Sequence, residues 1–214
     1  GGTFEIVQAD LTKDEAIQTV IAASEAHDVG VVFLNAGYAV FSAFEEFGDR
    51  KLFNNLESMC TTNARLAHYF MRKLKSRNEH SALYLTASFA SETRTPYGQV
   101  YSGIKRFTNN LAQNLAIEAQ GTKVVVSRIC PSFFIGSRFF DGLPKGAQLI
   151  GKINILQNKE SVADVIMRTV GRYELIDTGL SAVVTRTFLW FMTDPVITRL
   201  ACFLVRKPQS KPRA

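Results

Sequence analysis

Val31-Val32-Phe33-Leu34-Asn35-Ala36-Gly37 is the stretch on which the fold reading turns. Four successive apolar residues are the composition of a central strand covered on both faces, and Asn35-Ala36-Gly37 stops that strand in a turn. A strand of this kind belongs in a parallel sheet, whose members are joined through crossover helices. The flanking sequence supplies both kinds of element. Upstream, Phe4-Glu5-Ile6-Val7-Gln8 reads as a strand. After it a helix runs to about His27, with Asp10 and Thr12 as capping side chains and Ala16, Ile17, Val20, Ile21 and Ala23 at helical spacing. Downstream, the chain reads as a helix from about Lys51 to Lys75, a strand over Ala82-Leu83-Tyr84-Leu85-Thr86, and a long helix from about Gln99 to Gln120. A further strand from Val124 to Ile129 is stopped by Pro131. This alternation predicts an α/β fold, a parallel sheet with helices on both faces. Ligands of such sheets bind beyond the carboxyl ends of the strands. Asp10, Asn35-Ala36-Gly37, Ser88 and Pro131-Ser132-Phe133 each follow a strand, so they are expected to gather along one edge as a single candidate site.

Composition narrows the classes. The 214 residues, 46% hydrophobic and 21% charged, suffice for one core and exclude disorder as the main theme. Cys60, Cys130 and Cys202 are odd in number and widely spaced, which speaks against a disulfide framework and for a reducing compartment, with each read as a small buried apolar residue. His27, His68 and His80 show no ligand spacing, and no metal is expected. The net charge of +6 is concentrated at the end, where residues from Arg186 onward include six basic side chains and one acidic. The body is close to neutral, so no nucleic-acid partner is expected. No leader segment is visible, and a strand so near Gly1 is how a fragment cut within a domain would begin. The chain divides into a domain over 1–185 and an apolar, basic tail over 186–214.

Tyr101-Ser102-Gly103-Ile104-Lys105 places a phenol and an ammonium four residues apart on one helix, hence on one face. A nearby cation lowers a phenol's pKa and makes it a usable general acid or base. Ser88 directly follows a strand thirteen residues upstream, and Asn63 lies in the helix between that strand and Asn35-Ala36-Gly37. Asp10, Asn-Ala-Gly at 35 to 37, Asn63, Ser88 and Tyr101-x-x-x-Lys105, in this order, resemble the short-chain dehydrogenase/reductase family over Phe4 to about Phe140. The resemblance implies a Rossmann-type sheet and hydride transfer between NADP or NAD, NADP being preferred, and a carbonyl or alcohol. It implies that Tyr101 donates the proton to the carbonyl oxygen and that Ser88 hydrogen-bonds that oxygen. Lys105 would lower the phenol's pKa and bind the nicotinamide ribose, and Asn63 would hold a relay water. Asp10 would meet the adenine, Asn35, Ala36 and Gly37 would shape the cofactor floor, and Pro131 and Phe134 would complete the cofactor site.

Pro131-Ser132-Phe133-Phe134-Ile135-Gly136 is similar to an aromatic variant found in the very-long-chain 3-oxoacyl-CoA reductases and the 17β-hydroxysteroid dehydrogenases of types 3 and 12. Where many family members carry a threonine for the carboxamide, this chain has Gly136 with Ser137 beside it. The family's glycine-rich turn is missing, as are the first two strands and helices, so these 214 residues are expected to show weak activity or none. Residues 136–151, rich in glycine, read as a flap over a substrate or as a surface loop. Phe133-Phe134, Phe139-Phe140 and the tail point to a lipophilic substrate, an acyl chain or a steroid. Phe188-Leu189-Trp190-Phe191-Met192 and the apolar run 200–205 are too short to span a bilayer. With the basic end they fit an interfacial anchor at an internal membrane such as the endoplasmic reticulum, or else a last strand and helix of a homodimer. A non-catalytic scaffold on the same fold is the reading from another class.

Overall fold

A computed structural model of the chain describes residues 2–131 and 158–178. In chain order the elements are α1 (Asp14–Glu25), β1 (Val31–Leu34), α2 (Asp49–Leu56), α3 (Thr62–Ser76), β2 (Ser81–Thr86), α4 (Gln99–Ala119), β3 (Val124–Pro131), α5 (Lys159–Arg168) and β4 (Leu175–Thr178). The four strands form one parallel sheet in the order β1-β2-β3-β4, with Val31 opposite Ala82, Ala82 opposite Val125 and Ile129 opposite Ile176. Each step is a crossover, as parallel pairing requires.

Because side chains alternate along a strand, the sheet has two apolar faces. On one, Val32, Leu34, Leu83, Leu85, Val124 and Val126 pack against Ile17 of α1, Leu66, Phe70 and Leu74 of α3, and Ala112 and Ala116 of α4. On the other, Ala82, Tyr84, Ile129 and Ile176 pack against Ile166 and Val170, on and just beyond α5. Helices thus cover both faces of an α/β Rossmann-type sheet, as expected. The helix read from Lys51 to Lys75 is α2 and α3 joined through a π-helical turn, Glu57–Thr61. Such turns insert one residue into the helical ladder.

Three readings are corrected. Phe4 to Gln8 is not a strand; Phe4 and Ile6 are 86% and 82% exposed and no described strand pairs with the segment. An apolar run lowers its energy as a strand only beside a partner. Nor is β1 covered on both faces. It is the edge of the described sheet, and Val31 and Phe33 remain 44% and 41% exposed. The N-cap of α1 is Lys13, without a side-chain cap, because Asp10 Oδ1 instead accepts from Thr12 N at 3.1 Å and Thr12 Oγ1 at 2.8 Å. Sequence reading also passed over α5 and β4. The cap of α5 was visible in Asn158, whose side chain accepts from Ser161 N at 2.8 Å.

Candidate active site

The site lies where β1, β2 and β3 end. Ser88 follows β2 and opens a single 3-10 turn over Phe89–Ser91, its Oγ accepting from Ala90 N at 3.2 Å. Tyr101 and Lys105 stand on the first turns of α4, both buried. The Ser88 hydroxyl acts on the Tyr101 phenol and lowers its pKa, and Lys105 Nζ lies 5.8 Å from the centre of the Tyr101 ring. The three groups that the dehydrogenase reading requires therefore converge.

Burial pushes the Tyr101 phenol up to about 12; the Ser88 hydroxyl opposes this and the nearby Cys130 thiol adds to it. The lowering by Lys105 expected from the spacing is not what this arrangement gives. Burial has instead pushed Lys105 down to about 8, with Cys130 and Cys60 opposing. Its Nζ donates to Thr86 O at 2.7 Å. A protonated phenol with a hydroxyl aimed at it is equipped to give a proton to an oxygen that gains negative charge.

Thr86, the last residue of β2, also donates through Oγ1 to Asn35 Oδ1 at 3.0 Å and so ties β1's turn to the same point. At Gly37 a Cβ would stand 3.0 Å from Met59 Sδ and 3.5 Å from Lys105 Nζ, so any larger residue would crowd Met59 beside the lysine. Met59, in the π-helical turn, accepts from Tyr38 N at 3.4 Å. Asn63 opens α3 and is buried, and among the described residues its Nδ2 has no partner. Ala36 sits between Asn35 and Gly37 on the same turn. Asp10 is less integrated. Its exposed carboxylate is taken up by Thr12, and the bonds to Thr12 hold it below the usual carboxylate range. The neighbouring Leu11 O accepts from Thr62 Oγ1 at 2.9 Å, beside Asn63. Pro131 ends β3 opposite Thr178. Phe134, Gly136 and Ser137 lie outside the described residues, as do the flap and the tail.

Sequence reasoning missed Thr86 and Met59. A polar residue closing an apolar strand at the ligand-binding edge was a signal for Thr86; nothing marked Met59. The residues present fit the nicotinamide-ribose part of a dinucleotide, with a turn at Gly37 that a side chain would crowd, an unpartnered buried amide at Asn63, and a lysine whose one hydrogen-bond partner among the described residues is Thr86 O. They supply no glycine-rich cradle for its diphosphate.

Comparison with known proteins agrees with this fold. Residues 1–141 match the family model described as short chain dehydrogenase. A 7beta-hydroxysteroid dehydrogenase of Collinsella aerofaciens is 23% identical over 172 residues, which make up 80% of this chain and 65% of that protein. The chain thus matches less than two thirds of that relative's length. A solved structure from a study of 7beta-hydroxysteroid dehydrogenase stereoselectivity superposes with a TM-score of 0.78 at 21% identity, covering 91% of this chain and 75% of the other. A short chain dehydrogenase/reductase of Burkholderia phymatum in complex with NAD superposes at 0.71 and 17% identity, covering 97% of this chain and 79% of that one. On the extent of the family match, over more than half of its length, this chain belongs to the short chain dehydrogenase family.

Proposed function

We propose that the chain is the catalytic part of an NAD(P)-dependent oxidoreductase that interconverts a lipophilic ketone and its alcohol. The observation that carries this reading is the convergence of Tyr101 and Lys105, both buried on one face of α4, with Ser88 at the end of β2. Lys105 and the turn at Gly37 would hold the cofactor, which would supply the hydride chemistry when bound. Tyr101, kept protonated by burial, gives its proton to the carbonyl oxygen. Ser88 donates to that same oxygen and holds it in line with the phenol. Lys105, poised near neutrality, returns a proton toward Tyr101, and Asn63 orients the water through which that proton is replaced.

A steroid is the favoured substrate class, supported by the 7beta-hydroxysteroid dehydrogenase relative. The aromatic segment at 131–136 resembles instead the branch that includes 17β-hydroxysteroid dehydrogenases, and this too is consistent with a steroid. NADP is the preferred cofactor. Contact of the tail with an internal membrane rests on the sequence of 186–214 alone. Flotation with anionic vesicles, lost on removal of that tail, tests it. The division at residue 185 belongs to the same proposal.

The deciding experiment follows NADPH or NADH oxidation with a panel of ketosteroids. It uses this chain, where the rate is expected to be weak or nil, and the protein expressed with any coding sequence that precedes Gly1. Where turnover is seen, Tyr101→Phe is expected to lower it at least about 100-fold, the scale of a lost general acid. A rate unaffected by that substitution would overturn the assignment.

A further inference from the structure

Four residues beyond Ser88 lies a buried charged cluster that the proposed chemistry does not use. Arg128, on β3, donates through Nη1 to Glu92 Oε1 at 3.0 Å and to Asn109 Oδ1. Asn109 Nδ2, on α4, donates to the same Glu92 oxygen at 3.3 Å. Arg106, also on α4, adds a bond from Nε to Ser91 O at 3.0 Å. The Arg128 side chain is 9% exposed and that of Glu92 27%. Withdrawing two charges this far from water offsets most of their attraction, so such a pair is a poor source of net stability. Its better use is to fix an arrangement.

What it fixes follows from the turn between Ser88 and Glu92. Ser91 N donates to Ser88 O at 2.9 Å, Glu92 N to Phe89 O at 3.0 Å, and Ala90 N to Ser88 Oγ at 3.2 Å. These bonds make the five residues a stiff unit, so anchoring Glu92 anchors Ser88. The anchors Asn109 and Arg106 stand on the helix that carries Tyr101. We propose that Glu92, Arg128 and Asn109 form a positioning network that holds the serine turn on α4 and thereby keeps the Ser88 hydroxyl acting on the Tyr101 phenol. The proposal deepens the dehydrogenase reading and takes from it the importance of that pairing. The groups facing the phenol are Ser88 from the turn, Lys105 from its own helix and Cys130 from β3.

The network is tested through the titration of Tyr101, followed by fluorine NMR on the full chain labelled with 3-fluorotyrosine. The Tyr101 signal is identified by its absence in Tyr101→Phe. The double variant Glu92→Leu/Arg128→Met removes both charges while keeping apolar bulk, a replacement buried pairs tolerate. It is expected to melt within a few degrees of the wild type yet to titrate at higher pH, by the shift that Ser88→Ala alone gives. Adding Ser88→Ala to the double variant is expected to change nothing more, since coupled residues do not add. Glu92→Gln, which retains the side chain's shape, is expected to shift the titration the same way by less. The proposal is overturned by an unmoved Tyr101 titration in either variant, or by full additivity with Ser88→Ala. It is overturned equally if the double variant unfolds while Glu92→Gln titrates as wild type, for the network would then serve folding alone. The readout needs no turnover. Coupling without turnover counts against the dehydrogenase reading only, and turnover without coupling against the network only.

Discussion

Burial carries Lys105 down to about 8 and Tyr101 up to about 12, and because one is charged when protonated and the other when deprotonated, they mark the stability curve in opposite senses. Between about pH 8 and 10.5 the unfolded chain holds a proton that folded Lys105 has released, so stability rises with pH. Between about pH 10 and 12 the unfolded chain has lost a proton that folded Tyr101 retains, so stability falls. Each effect is on the order of 3 kcal/mol. Urea midpoints across this range are expected to lose the rise in Lys105→Met and the fall in Tyr101→Phe; variants that keep both limbs would place the effects elsewhere. Tyr101, Lys105, Ser88 and Asn35 were legible in the sequence because each is marked by local spacing or by the end of a strand. The direction of the electrostatics was not, since it depends on burial that no spacing reveals. Glu92 and Arg128 stand 36 residues apart and carry no motif, so only folding brings them together.

Among the elements, β2 bears most of the packing: Leu83, Tyr84 and Leu85 are fully buried, with strands on both sides. Leu83→Ala is expected to cost about 2–5 kcal/mol by chemical denaturation, the range for a buried leucine whose site cannot collapse. A loss below about 1 kcal/mol would mean that the sheet is looser than its burial implies. The crossover helices and three strands were readable because hydrophobic period separates 3.6 from 2 over long segments. Phe4 to Gln8 misled because an apolar run specifies a strand's faces and says nothing of whether a neighbour exists. Helix α5 and β4 escaped for the opposite reason. Among α5's residues Val162 alone is buried, and Leu175-Ile176-Asp177-Thr178 is short and half polar.

At the scale of the molecule, the described helices clothe the two faces of the sheet unequally, with α1, α3 and α4 on one and α5 on the other. Ala82 N donates to Gly30 O, so Val32 also turns its backbone toward β2, while the N–H and C=O groups of Val31 and Phe33 point away from it, to a side where no described strand pairs with them. An apolar strand edge of this kind invites pairing between chains. Concentration-dependent association in sedimentation is therefore expected, and Val31→Lys is expected to reduce it at a cost within about 1 kcal/mol, as for other exposed sites. Undiminished association would place the contact on another surface. The residue looped into Glu57–Thr61 has a consequence of its own for the outer coat. One residue is about 100° of helix rotation, so the rod from Asp49 to Ser76 shows a different side after that turn than before it. Its first half offers Phe53 and Leu56 to water among Asp49, Arg50 and Lys51, and its second half Arg65, His68 and Arg72, so the exposed large apolar side chains of the rod all stand before the turn.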